Sequence, residues 1–248
     1  AGRRSAGAWR HSRLGMNGGG VAIGHLTRAE RLGGHYAVAM ARNHHHTTTQ
    51  GWTFFRQWLK NPLGMAAISP SSPQLARQMM SELPRGARRV IELGGGTGVF
   101  TQALLDHGIA PADLLVLELN EELHQHLQRH FPQVQVACAD ARDLAELALA
   151  RGFGPESPAD AVISGLGLLS MPKATQQAIL GAAFDCMQPQ GRFVQFTYGP
   201  ANPVAKEVIE ALDLNARRGS FTWWNVPPAT VYVYSRRVSR AIAPRSMR

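Results

Sequence analysis

The sequence predicts a doubly wound α/β sheet of seven strands that closes with a C-terminal antiparallel hairpin. Three observations lead there. Apolar runs of strand length alternate with helix-length segments from about residue 88 to residue 216. The first run, Val90-Ile-Glu-Leu93, breaks into Gly94-Gly-Gly-Thr-Gly98, and the second, Leu114-Leu-Val-Leu117, ends on an acid of its own, Glu118. Near the end, two β-rich stretches, 221–225 and 230–234, are joined by Val226-Pro-Pro-Ala229, which points to an antiparallel pair.

The elements follow in order. Residues 52–59 read as a short amphipathic helix stopped by Pro62, because Asn61 precedes a proline and is driven out of α geometry. Ser72 suits a cap and Pro73 the first helical position, and Leu75, Ala76, Met79, Met80 and Leu83 then recur at three/four spacing. Strands are expected over 89–93, 114–119, 133–138, 160–164 and 192–198, with helices over 98–107, 120–130, 142–150, 172–187 and 204–216. Five βα units and a hairpin make a doubly wound sheet with one antiparallel strand.

In such a sheet the ligand lies across the carboxyl ends of the strands at the switch point, so the site is read from the strand ends. A dinucleotide loop needs glycine at its first, third and sixth positions to seat a pyrophosphate on a helix N-terminus. Here the sixth position is Val99. The form Glu92-x-Gly94-x-Gly96-Thr97-Gly98 instead resembles the cofactor loop of class I S-adenosylmethionine (SAM) methyltransferases, a Rossmann-like family. SAM carries no phosphate, and no Lys or Arg occurs between Arg89 and Arg129. A glycine-rich turn without a ligand is the plain alternative. On the cofactor reading, Glu118 accepts hydrogen bonds from both ribose hydroxyls, unless it is only an acid at a helix start. Asp140 takes the adenine amino group, with Ala141 backbone at a ring nitrogen, unless Asp140 only caps the next helix. Glu92 is expected to hold the glycine loop through backbone N–H groups. Ser164 ends strand four, and Gly165 and Leu166 form the floor where the methyl group meets its acceptor.

Composition bounds the rest. With 248 residues, 44% of them hydrophobic and 17% charged, the chain suits one soluble domain with appendages, and no apolar run approaches the ~20 residues that span a bilayer. The net charge of +9 is concentrated at the ends. Residues 1–42 hold seven arginines and one acid, and residues 236–248 five arginines and none, which leaves 14 basic and 16 acidic residues between them. A nucleic-acid enzyme is expected to carry its basic patch on the folded domain. The expected organisation is a basic disordered extension over 1–50, N-terminal helices over 51–84, a methyltransferase domain over 85–237 and a basic tail over 238–248. His44-His-His46 reads as linker; Cys138 and Cys186, without metal or redox spacing, read as reduced core residues of a cytoplasmic protein. No metal is assigned.

Four further motifs resemble the bacterial phospholipid N-methyltransferases. They are Phe55-Arg-Gln-Trp-Leu-Lys-Asn-Pro-Leu-Gly-Met-Ala-Ala-Ile-Ser-Pro-Ser-Ser-Pro73, Ile163-Ser-Gly-Leu-Gly-Leu-Leu169, Gly191-Arg-Phe-Val-Gln-Phe-Thr-Tyr-Gly-Pro200 and Asn225-Val-Pro-Pro-Ala229. The resemblance covers roughly residues 53–237 and departs at Gly167, where the family often carries proline. It implies SAM-dependent methylation of phosphatidylethanolamine and its methylated derivatives by an enzyme peripheral to the inner membrane. The 52–63 segment fits that role, because Phe55, Trp58, Leu59 and Leu63 share one face while Arg56 and Lys60 lie one turn apart on another, suited to an anionic surface. A helix docked on its own domain is the alternative. The acceptor amine must shed a proton before attack, and Tyr198, at the end of strand five, is the candidate to orient it or relay that proton; a structural tyrosine is the alternative. The competing reading is an enzyme like the ribosomal RNA adenine N6-dimethyltransferases. The segment after strand four, Ser164-Gly-Leu-Gly-Leu-Leu-Ser-Met-Pro172, lacks the amide, paired prolines and aromatic that grip a base, so nucleic acid is not the expected partner. Oligomeric state is left open.

Overall fold

The computed structural model describes residues 73–198, 200–222 and 228–237. The expected 52–63 helix, the Ser72 cap, the basic segments 1–50 and 238–248, and the turn at 223–227 lie outside the described residues. The first described element is α1 (Pro73–Ser81), with proline where its missing N–H costs nothing. It buries Leu75, Ala76, Met79 and Met80; Leu75 and Met79 are fully covered, each contributing about 1.5–3 kcal/mol.

Alternation then runs as the pattern requires: β1 (Val90–Leu93), α2 (Val99–Asp106), β2 (Leu114–Glu118), α3 (Glu121–His130), β3 (Gln135–Cys138), α4 (Leu144–Ala150), β4 (Ala159–Ser164), α5 (Lys173–Asp185), β5 (Met187–Tyr198), α6 (Lys206–Ala211), β6 (Leu214–Thr222) and β7 (Ala229–Arg236). The seven strands form one sheet in the order β3-β2-β1-β4-β5-β7-β6. The first five are parallel, and β7 runs antiparallel to both β5 and β6. This is the Rossmann-like methyltransferase arrangement. Successive strands step outward from β1 to β3, and the chain then returns to the other side of β1, so the switch point falls between β1 and β4.

Alternate residues of each strand enter two different cores. Val90, Val116, Ile163 and Val194 join α1, α2 and α3 in one; Ile91, Leu117, Val162 and Phe193 join α4, α5 and α6 in the other. Strands buried on both faces explain the near-continuous apolar runs in the sequence.

The ends of the elements depart from expectation in ways that have causes. The helix expected over 204–216 is only Lys206–Ala211. Asp213 takes a positive φ of 50° and reverses the chain, so β6 begins at Leu214 instead of 221. Pairing of the nine-residue β6 against β7, from Leu214↔Arg236 to Thr222↔Ala229 with an irregularity between Arg218 and Phe221, outweighs the helix preference of 212–216. β5 begins five residues early because Met187 already pairs with Ala159, and an irregularity follows before Arg192 pairs with Ala161. Residues 141–143 form a tight 3-10 turn ahead of α4. Cys186 is buried, but Cys138 is exposed, because β3 is an edge strand and its last residue lies at the rim.

Candidate functional site

The carboxyl ends of β1, β2, β3 and β4 open into a cavity of about 470 Å³. Gly94, Gly96, Thr97, Glu118, Asp140, Ala141, Gly165 and Leu166 all line it. Of the residues expected at the cofactor, Glu92, Gly98 and Ser164 do not.

The glycine loop is held by geometry that no larger residue tolerates. Gly98 has φ +86°, and a Cβ there would sit 2.4 Å from Phe131 Cε2. Gly95, which the sequence pattern leaves as a free position, is equally constrained: a Cβ would stand 2.6 Å from Val116 Cγ1 and 2.8 Å from Leu127 Cδ1. The loop therefore lies directly on the β2–α3 unit. Its N–H groups at Gly94 and Gly95 both donate to Leu117 O, at 2.8 and 3.2 Å.

The role expected of Glu92, holding the glycine loop, falls to Glu118. Glu118, not Glu92, grips the glycine loop: its Oε2 accepts the Gly96 N–H at 2.9 Å and its Oε1 the Asn120 N–H at 2.8 Å. Glu118 remains at the cavity wall, 8% exposed, with acceptor capacity left on each oxygen. Glu92 is wholly buried under the loop on the α2 side, and its Oε2 accepts a 2.6 Å bond from Thr101 Oγ1. Its Oε1 has no hydrogen-bond partner among the described residues. Burial, reinforced by the neighbouring charge of Glu118, pushes the Glu92 carboxyl up to about 8, against the opposing pull of Thr101. Glu92 is thus largely neutral at physiological pH.

Asp140 reaches the cavity while serving as the cap of the 3-10 turn. Its Oδ1 accepts from Arg142 N and its Oδ2 from the Arg142 guanidinium, both at 2.8 Å, and that pairing holds its carboxyl below the usual range. Cap and cavity residue are the same side chain. Arg142, which also lines the cavity, went unnoticed in the sequence because nothing marks a surface arginine until its partner is known. Ser164 is fully buried, and its Oγ accepts from Leu166 N at 3.3 Å, so it shapes the floor from below. The floor itself is tight, since a Cβ on Gly165 would lie 2.9 Å from Gly94 O. Leu119, 67% exposed, and Phe196 add apolar wall that the strand-end reading did not assign. Leu119 was detectable as an apolar residue just past the acid of β2.

Tyr198 does not line this cavity. It faces a small adjoining hollow of about 20 Å³, which shares Leu166, Gly167 and Phe196 with the cavity wall. Its ring packs edge-on against Phe196 at 5.4 Å, and burial pushes its hydroxyl far above the ordinary tyrosine value. Near neutral pH the hydroxyl stays protonated.

The cavity suits a nucleoside without phosphate. Carboxylates stand at two strand ends, the glycine loop supplies backbone but no cation, and the one lining guanidinium among the described residues is already paired with Asp140. Comparison with known proteins agrees. Residues 90–191 match the family described as a methyltransferase domain. A curated relative, the ornithine lipid N-methyltransferase of Singulisphaera acidiphila, is 32% identical over 151 residues, covering 59% of this chain and 77% of the relative. Among solved structures, a TehB-like SAM-dependent methyltransferase from Corynebacterium glutamicum superposes with a TM-score of 0.50 at 18% identity, over 76% of this chain and 99% of that one. DesVI from Streptomyces venezuelae gives 0.52 at 12%, over 71% and 96%. The glycopeptide N-methyltransferase MtfA, solved with SAM, gives 0.52 at 12%, over 66% and 94%. These likenesses establish the fold, while the curated relative establishes kinship. The chain belongs to the class I SAM-dependent methyltransferases, within the N-methyltransferase family that includes the Singulisphaera enzyme.

Proposed function

We propose that the protein methylates the amine of a membrane aminolipid, with phosphatidylethanolamine and its methylated derivatives as acceptors, at the cytoplasmic face of the inner membrane. The observation that carries this reading is the apolar acceptor side. Leu166, Gly167, Leu168 and Phe196 line the hollow beside the cavity, and Leu169, on the same wall, is 44% exposed. No base-stacking aromatic or amide follows β4, and the chain between the basic ends carries a slight excess of acids. Both features disfavour RNA. The relative named for ornithine lipid supports an aminolipid acceptor and supplies the second candidate, ornithine lipid itself.

On this reading SAM supplies an electrophilic methyl group on a sulfonium. Glu118 accepts from the ribose hydroxyls, Asp140 from the adenine amino group, and Ala141 backbone and Thr97 complete the nucleoside end. The glycine loop from Gly94 to Gly98 fits the cofactor by shape, with Glu92 and Ser164 supporting it from beneath. Gly165 and Leu166 form the floor on which an amine nitrogen is aligned. In-line displacement needs alignment, exclusion of water and a neutral nucleophile, and the apolar wall supplies the first two. Tyr198 is proposed to orient the amine through its hydroxyl. The 52–63 segment is proposed to rest on anionic lipid.

The test is labelled SAM with vesicles of phosphatidylethanolamine, vesicles containing ornithine lipid and ribosomal RNA, assayed in parallel. Label in phosphatidylethanolamine supports the full reading; label confined to ornithine lipid replaces the acceptor. Transfer to RNA alone overturns it. In the same vesicles, Arg56→Glu with Lys60→Glu is expected to reduce co-sedimentation, an effect that raised salt mimics in part.

A further inference from the structure

The fold brings Cys138, at the end of β3, beside Glu121 and His124 on α3, three side chains of types that can ligate a metal. Glu121 and His124 lie one turn apart at the start of α3, and Cys138 ends β3 beside them, because Glu118 and Cys138 are register partners on adjacent parallel strands. One donor atom from each of the three lies within 4.8 Å of the other two. Glu121 Oε1 stands 3.8 Å from His124 Nδ1. That Nδ1 is buried and, among the described residues, has no hydrogen-bond partner, although the side chain as a whole is 13% exposed.

We propose that Glu121, His124 and Cys138 form a binding site for a single thiophilic divalent cation of the Zn²⁺ type, at the rim of the cofactor cavity. A thiolate, an imidazole and a carboxylate form a borderline-soft donor set of the kind Zn²⁺ takes, whereas Mg²⁺ and Ca²⁺ favour oxygen alone. Tetrahedral coordination separates such donors by about 3.3–3.6 Å, so small side-chain rotations close the present spacing. Three protein donors leave the fourth position to water, and the thiol proton passes to solvent on ligation. Local charge favours the cation: Glu118, Glu121 and Glu122 cluster where β2 meets α3 and offset the positive end of the helix. The donors bracket cavity residues, with Asn120 and Leu123 on the α3 side and Ala139 on the β3 side, so occupancy ties the two elements that wall the nucleoside end.

Titration of the full chain with Co²⁺ tests the site. One equivalent is expected to produce a thiolate-to-metal charge-transfer band with visible bands of four-coordinate intensity, which Zn²⁺ then abolishes. Cys138→Ser is expected to remove the charge-transfer band, and His124→Asn and Glu121→Gln to weaken binding at least about tenfold. Cys186→Ser, and a variant with His44, His45 and His46 all changed to Ala, are expected to bind as the parent does. Absence of the band at stoichiometric Co²⁺, its survival in Cys138→Ser, or its loss in Cys186→Ser overturns the proposal.

Discussion

The proposed nucleoside end and the proposed acceptor end of the cavity are built by different means. At the nucleoside end the backbone is pinned: Gly94 and Gly95 donate to Leu117 O, Gly96 donates to Glu118, and Asp140 caps its own turn. At the acceptor end the wall is made by packing, with Phe196 tilted between Phe100 and Tyr198 at centroid distances of 5.7 and 5.4 Å. Polar contacts there serve the floor from behind: Ser164 Oγ accepts from Leu166 N, and Gln195 donates to Leu166 O at 2.8 Å. Directional bonds specify a rigid cofactor, while an apolar wall accepts many acceptors of similar shape. The contrast fits a fold that keeps one methyl donor and varies its substrate.

The largest expected effect lies under the nucleoside end and concerns pH. Glu92 titrates at about 8 when folded and near its ordinary 4.5 when unfolded, so the folded state holds the proton more tightly. Its contribution is fully present below about pH 4.5 and is lost as pH rises through about 8, on the order of 4–5 kcal/mol over the whole window at 1.36 kcal/mol per unit. Denaturant unfolding across that range is expected to show this decline, and Glu92→Gln, which keeps a neutral side chain for Thr101, is expected to flatten it. A variant as pH-sensitive as the parent would mean that Glu92 is charged in the fold and that the pinned end owes nothing to a neutral carboxyl.

Next comes the acceptor end. Tyr198→Phe removes one hydroxyl and keeps the ring against Phe196. If that hydroxyl orients the amine, turnover on lipid vesicles drops by roughly 10²-fold while SAM affinity holds. Normal turnover would leave the acceptor end purely apolar and make the contrast with the nucleoside end sharper still.

The smallest expected change is at the ribose position. Glu118→Ala is expected to weaken SAM binding, measured calorimetrically, by about 1.5–3 kcal/mol, the range for hydrogen bonds to a charged group. Because Glu118 also holds Gly96, thermal stability should be read on the same variant. A loss of stability with unchanged SAM affinity would reassign the carboxylate from ligand to loop.

Some of this was legible before any coordinates. Strand-length apolar runs, acids at strand ends and glycines at set spacing are local signals; they assigned β1 through β4, and eight of the residues they singled out line the cavity. The signals failed where long-range pairing decides. Leu214–Thr222 reads as helix tail and loop until β7 is beside it, and Cys138 reads as core until β3 is known to be an edge. Gly95 looks like a spacer because its crowding comes from Val116 and Leu127, which are distant in sequence.

What the chain determines by itself is therefore the alternation, the class of sheet and the existence of a phosphate-free nucleoside loop, since each depends on residues within one turn or one strand of one another. Only the tertiary structure decided which acid holds the loop and which is buried neutral, and that Tyr198 stands in an adjoining hollow instead of the cavity. Only it joined Glu121, His124 and Cys138. Each of these depends on the direction in which a side chain leaves its strand or helix and on what another element places opposite it. A glutamate near the end of an apolar run has the same letters whether it meets an N–H or a threonine hydroxyl; burial and partner, set by packing across the sheet, separate the two.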